Sequence, residues 1–295
     1  MAGLKEIRIR IASVTSTRQI TNAMKMVSAS KLRKAQDAIL QMRPYASKLQ
    51  EILVHVSDAL SNDEDNVYIR KKDPERVLLI VITSNRGLCG AFNANVLRKT
   101  LQLIHENYNE ISRKGDLHLF TIGKKGSDYL ARKNYSVTDV RNDLFDGLSF
   151  KSTAAVAEEL IDRFVTNKYD KIVLVYNQFK NAAVQTLTTE QFLPIEVPVK
   201  EEGNNHVQDY IFEPSKDYIV REIIPKSLKI QLYKALLDSN ASEQGARMTA
   251  MHQATDNATE LIRDLKLNYN KARQAAITKE LLEIVSGSEA LKAKR

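Results

Sequence analysis

Tryptophan is absent from this 295-residue sequence, cysteine occurs once, and glycine (10) and proline (6) are scarce. Each shortage removes a class of protein. A single cysteine, Cys89, excludes a disulfide framework and any cysteine-based zinc site. The five histidines, at positions 55, 105, 118, 206 and 252, show no metal-ligand spacing. So few turn formers argue against a sandwich of many short strands and for long helices. No stretch approaches the ~18 uninterrupted apolar residues of a bilayer span. The N-terminus is basic but lacks the apolar core of a secretory signal. What remains, with 27% charged and 43% hydrophobic residues, is a chain able to bury a sizeable core.

Charge is present in a polarised form. The formal net charge is +8, and the first 50 residues carry ten Lys/Arg against only Glu6 and Asp37, which is the whole excess. Polarised basic charge suits an acidic partner such as nucleic acid, anionic lipid or an acidic protein surface; a solvated helix face is the plainer alternative. Tyr45 is the only aromatic residue there, which disfavours single-strand binding by stacking.

The two ends read as long helices. Gly3 and Pro44 bracket 40 residues without Gly or Pro. Leu4, Ile7, Ile11 and Val14 keep a 3-4-3 rhythm. The apolar stripe then shifts to Ile20, Met24 and Val27, and again to Leu32, Ala35, Ile39 and Met42, which predicts a coiled-coil helix with stutters. Between Gly245 and Gly287 lie 41 such residues, and a strict heptad runs Met248, Met251, Thr255, Ala258, Ile262, Leu265, Tyr269, Ala272, Ala276. At about 1.5 Å per residue that segment is roughly 60 Å long. Its seam is thin, because Ala, Thr and Tyr replace the usual Leu and Ile. Gly245 stands where a helix former is expected, which allows a local bend at about 1 kcal/mol against Ala.

The middle differs. Val77–Thr83, Leu117–Ile122 and Lys171–Tyr176 are Val- and Ile-rich runs suited to buried strands. Helical stretches lie between them, at about Asn93–Ser112, Lys124–Lys133 and Ser152–Asn167. Val184–Val199, with Pro194 and Pro198, reads as an edge. The order predicts an α/β fold with a long coiled coil. A coiled-coil helix (1–60), an α/β globular domain (61–215) and a second coiled-coil helix (216–295) follow one another. Pairing the chain's ends as an antiparallel coiled coil buries both stripes, and within-chain pairing has a high effective concentration.

Chemistry-bearing motifs are weak. Ser84–Asn93 is a Gly-rich turn between a strand and a helix, and Gly123–Ser127 resembles it. Either could cradle a phosphate, yet neither has the P-loop or dinucleotide pattern, so a tight turn is the simpler reading. Cys89 reads as a small buried thiol rather than a nucleophile. Glu158-Glu159 and Glu201-Glu202 are adjacent and point apart on a helix, so they form no acid-base dyad. Asn257-Ala-Thr259 matches a glycosylation sequon inside the heptad. None of these implies a cofactor.

Three blocks carry a resemblance. Arg10–Val14, Gln19–Val27 and Lys31-Leu32, the loop Arg86–Gly90, and the segments Ala241–Glu243, Ala246–Met248 and Tyr269–Leu281 resemble the gamma subunits of F-type ATP synthases, in family order and over essentially the whole chain. The resemblance implies an antiparallel coiled-coil shaft with a Rossmann-like α/β domain. It also implies a non-catalytic central rotor stalk, turned by the membrane c-ring inside a hexamer of alternating alpha and beta subunits. Carried over by position, Met24, Lys25, Arg273 and Gln274 are expected to contact a beta subunit, with Met24 and Lys25 in the same neck region as Arg273. Tyr210, Phe212 and Glu213 are expected at the c-ring foot, and Ile284, Val285 and Leu291 at the shaft tip in an apolar sleeve. Met248, Met251, Ile262, Leu265 and Tyr269 form the expected shaft seam. The implied partners are alpha, beta and epsilon subunits and the c-ring, with no nucleic acid and membrane contact only through the c-ring. The implied location is peripheral, at the cytoplasmic face of a bacterial inner membrane. Asn85 and Ala91 depart from the residues common in relatives, an acid and a glycine. The rival readings are a nucleotide-binding α/β enzyme with a coiled-coil arm and a basic nucleic-acid-binding coiled coil.

Overall fold

Strand β1 (Val77–Ile82) is buried at all six positions, and that burial organises the α/β part of the chain. The computed structural model describes residues 3–61, 67–69, 73–145, 147–195 and 216–292, and side chains at 3–49, 67–68, 73–145, 147–195 and 222–288. An apolar run with no polar alternation has to be covered on both faces, as in a parallel sheet between helices. β2 (Leu117–Ile122) and β4 (Lys171–Phe179) flank β1 in parallel, β3 (Val137–Arg141) lies parallel outside β2, and β5 (Gln185–Leu193) closes the other edge antiparallel to β4. The order is β3-β2-β1-β4-β5.

One face of the sheet packs Leu78, Ile80 and Ile82 against Val156, Leu160 and Phe164 of helix α5 (Phe150–Val165). Ile224, Leu228 and Leu232 of helix α6 (Lys216–Lys292) join the same core. The other face packs Val77, Leu79 and Val81 against Val96, Leu97 and Ile104 of α2 (Phe92–Asn107) and Leu130 of α4 (Lys124–Arg132). The alternate residues of one strand thus feed two separate cores. Helix α5 starts on a capping box in which the Ser149 and Ser152 side chains each bond the other's backbone N–H.

Two expectations need adjusting here. The helix predicted over Asn93–Ser112 is two, α2 and the short α3 (Asn109–Lys114), because Tyr108 leaves helical geometry with φ −126°. Strand β3 was not predicted. Its residues alternate half-buried and exposed, so no continuous apolar run marks it. The expected edge appears as β5, with residues beyond 195 outside the described ones.

Both ends of the chain are long helices, α1 (Leu4–Ser61) of 58 residues and α6 of 77. Pro44 and Pro225 lie inside them without ending them. The chain divides into two compact units that cut across both helices: residues 1–27 with 248–295, and residues 28–247. In the first unit, Arg8 meets Tyr269, Thr21 meets Thr255 and Lys25 meets His252, so the two helices run antiparallel.

Candidate functional site

The heptad of α6 coincides with its burial. Met251, Ala258, Ile262 and Leu265 are buried, Met248, Thr255, Tyr269, Ala272 and Ala276 are half-buried, and the residues between them are exposed except the half-buried Thr249, Ala250 and Ala254. On α1 the structure overturns the expected stutter. Burial keeps one unbroken 3-4 rhythm through Leu4, Ile7, Ile11, Val14, Arg18, Thr21, Lys25, Ser28, Leu32, Ala35, Ile39 and Met42. The seam passes through polar residues at 18, 21, 25 and 28, while Ile20, Met26 and Val27 are 60%, 63% and 56% exposed. Hydrophobicity alone followed the outward residues. The heptad extended from Leu4 finds the inward ones.

The seam of the first unit is accordingly polar in part. Thr21 and Thr255 hydroxyls meet at 2.9 Å. Arg8 donates to the Tyr269 hydroxyl at 2.9 Å and lies over its ring, which lowers the Tyr269 pKa. Lys25 Nζ is 3.5 Å from His252 Nδ1, itself 3.2 Å from Asp256. Apolar side chains point outward instead: Ile9, Ile20, Met26 and Val27 on α1, Leu261, Leu267 and Ile277 on α6.

The expected contact residues separate into distinct levels. Met24 and Lys25 are half-buried, with Lys25 beside His252, whereas Arg273 and Gln274 are exposed 21 residues further along α6. At 1.5 Å per residue that is about 30 Å. The two pairs therefore do not share one neck, since antiparallel pairing sets Arg273 near the start of α1. The burial rhythm ends at Ala276, and every side chain from Ile277 to Ser288 is exposed, with Ile284 at 69% and Val285 at 53%. The helix continues past Leu291, whose side chain lies outside the described residues, as do Tyr210, Phe212 and Glu213 altogether.

The two Gly-rich turns form a joint rather than a phosphate cradle. At the start of α4 the N–H groups of Lys124, Lys125 and Gly126 donate to Asn85 Oδ1, Ser84 O and Thr83 Oγ1 at 3.1, 3.1 and 2.9 Å. The donors an anion would need are already taken. Gly123, at φ +106°, is required by this closeness, because a Cβ there would lie 2.1 Å from the Thr83 carbonyl oxygen. Inside the first turn, Ser84 N–H donates to Asn93 Oδ1 at 2.9 Å, and Asn93 Nδ2 donates to Ser84 Oγ at 2.8 Å. Burial raises the Cys89 pKa, which keeps the thiol protonated and unsuited to attack.

No group of His, Cys, Asp and Glu among the described residues is arranged to hold a metal, and no described helix is long and apolar enough to cross a membrane. The family model described as ATP synthase matches residues 3–291. The ATP synthase gamma chain of Flavobacterium johnsoniae is 57% identical over 99% of each chain, and that of Cytophaga hutchinsonii 51% over 99% of each. The chain belongs to the ATP synthase gamma-chain family. In fold it matches a chain of the Euglena gracilis mitochondrial ATP synthase (OSCP/F1/c-ring) with TM-score 0.71 and 23% identity, covering 98% of this chain and 95% of that one. A chain of the Tetrahymena thermophila central stalk/c-ring matches at TM-score 0.59 and 27% identity, over 80% of this chain and 99% of that one. As a gamma chain it is a non-catalytic, central-stalk component of an ATP synthase, a membrane-associated complex.

Proposed function

We propose that this chain is the rotor shaft inside a hexamer of alternating alpha and beta subunits, turned by the c-ring and carrying an epsilon subunit. The observation that carries this is the mixed surface of the first unit, where the seam is polar in part and Ile9, Ile20, Met26, Val27, Leu261, Leu267 and Ile277 face outward among charged residues. A surface with scattered apolar residues and Arg or Lys among them makes many weak contacts at every angle and no deep well at one. Rim charges of this kind guide more than they bind. A two-helix cross-section has no threefold symmetry, so three surrounding beta subunits meet three different faces at any moment. Unequal contact with open and closed beta states then biases each differently, and a few kcal/mol suffices to move such a population.

Within this reading Arg273 and Gln274 reach a beta-subunit loop from an exposed level of α6, and Met24 and Lys25 serve a separate level about 30 Å away. Exposed Ile284 and Val285 suit an apolar sleeve at the tip, with Leu291 on the same helix. Tyr210, Phe212 and Glu213 are the proposed c-ring foot. The setting is the cytoplasmic face of a bacterial inner membrane, reached only through the c-ring. No nucleic acid is invoked, because the basic residues of α1 face protein partners in this arrangement.

The test is co-purification with alpha and beta subunits followed by charge reversal. Arg273→Glu is expected to lower coupled ATP turnover about tenfold or more, as for loss of a charged contact of about 1.5–3 kcal/mol, with unchanged melting of the complex. Normal turnover in that variant removes Arg273 as a contact, and failure to co-purify removes the rotor reading.

A further inference from the structure

At the C-terminal edge of the sheet, α6 is held to three separate stretches of chain. Ser242 Oγ donates to Asn177 O of β4 at 3.1 Å. Gly245 lies so near the β4–β5 turn that a Cβ would be 3.1 Å from Ala182 O. This close approach, and not a bend, explains the glycine. The third hold is of a different kind. Arg247, 8% exposed, donates through Nη2 to the carbonyls of Arg86 and Gly87 at 3.1 and 3.3 Å, and through Nη1 to Gln244 Oε1 at 3.3 Å. Its charge is met by Glu243, 2.7 Å away and also buried.

A buried guanidinium is costly unless its donors are used, and here they are spent on two successive carbonyls of one loop. The stretch after those carbonyls has left-handed turns at Leu88 (φ 62°) and Gly90 (φ 58°). Leucine rarely adopts that conformation, so the loop is held in it by its surroundings. Asn93 and Ser84 brace it from inside. The guanidinium grips it from α6, and Arg247 is the last residue of the compact unit 28–247.

We propose that Arg247 is a positioning residue for energy coupling, a guanidinium clamp that locks the 84–93 loop to α6 so that torque passes between the α/β unit and this helix without slip. The proposal rests on the rotor reading above and adds the place where the α/β unit grips its own helix. The Ser242 hydrogen bond and the close approach at Gly245 resist separation. Nη2 meets both carbonyls and Glu243 while Nη1 holds Gln244, and these directional contacts of one rigid plane also resist twisting.

The experiment uses the assembled ATP synthase carrying Arg247→Gln or Arg247→Lys. Three quantities are measured: ions pumped per ATP hydrolysed, torsional compliance of the rotor from a bead on the c-ring, and hydrogen exchange of amides 84–93. In R247Q, loop amides are expected to exchange about tenfold faster on losing charge-assisted bonds, compliance to rise and the pumping ratio to fall about twofold or more, with assembly and melting unchanged. R247K keeps the charge opposite Glu243 but lacks the second, rigidly placed nitrogen that holds Gln244 while the first meets the carbonyls, so it is expected to restore less than half of the lost coupling. Wild-type coupling in either assembled variant overturns the proposal. So does failure of both variants to assemble, which makes Arg247 a folding residue. A wild-type complex that lacks this chain or does not rotate defeats the rotor reading instead.

Discussion

The two compact units solve opposite problems with the same chain. In the unit 28–247, Leu78, Ile80, Ile82, Phe120 and Leu174 are fully buried, and both faces of the sheet are covered. In the unit formed by 1–27 and 248–295, even the best-buried apolar seam residues, Met251, Ala258, Ile262 and Leu265, keep 5–8% exposure, and Leu4, Ile7, Ile11, Val14 and Tyr269 are only half-buried. Burial of methyl and methylene groups, at about 0.8 kcal/mol each, is therefore concentrated in one unit. The difference teaches that a rotating shaft needs stiffness from helix continuity more than depth of core. A helix is stiff along its own hydrogen bonds, and two suffice to define an axis.

The comparison can be broken most severely by matched cavities. Ile80→Ala in β1 is expected to cost about 4 kcal/mol and Ile262→Ala in the shaft about 2 kcal/mol, read by urea titration with a probe in each unit. Equal costs would mean that the shaft seam is packed as tightly as the sheet. A second, pH-dependent contrast lies at Asp238, 3% exposed, whose carboxyl burial pushes up to about 6; Lys234, Arg43 and the Phe179 backbone oppose the rise, and Glu190 adds to it. Because the folded state holds this proton more tightly than the unfolded one, stability from this group is present below the ordinary carboxylate pKa and lost as pH rises through 6. A rise of this size corresponds to about 3 kcal/mol. Asp238→Asn is expected to flatten stability between pH 4 and pH 7, measured by denaturant midpoints, with no such change from any shaft substitution. A wild-type slope in that variant would assign the proton elsewhere. The smallest effect belongs to the polar seam. Replacing Thr21 and Thr255 together by Val, of equal shape, is expected to change stability by less than about 1 kcal/mol, and a larger loss would show that their hydroxyl contact holds the shaft.

How far the sequence revealed this depends on which signal each element used. β1, β2 and β4 were legible because both faces are buried and the apolar run is continuous. The α6 heptad was legible because Ala and Thr still mark a seam when they fall in strict register with Ile262 and Leu265. The α1 seam was not, because the inward positions 18, 21, 25 and 28 hold Arg, Thr, Lys and Ser while Ile20 and Val27 face outward. Long Arg and Lys stems can line a narrow seam with their charged ends in water, so polarity ceases to report direction there. β3 escaped notice as a half-exposed outer strand, and the break at Tyr108 because nothing in Asn107-Tyr108-Asn109 is a glycine or proline. Of the candidate site, the exposure of Arg273 followed from its position beside the seam residue Ala272, whereas Ile284 came from the resemblance alone. The Arg247 clamp did not, since its carbonyl partners lie 160 and 161 residues away in the chain.

The unbroken seven-residue rhythm of α1 also fixes how this helix can change length. Each residue inserted or removed turns everything beyond it by about 100° around the helix axis, carrying the inward stripe out of the groove. Seven residues bring the stripe back almost to its starting direction. Gain or loss of shaft length is thus permitted in whole heptads, matched on α1 and α6, and relatives with longer or shorter axles should differ by that quantum.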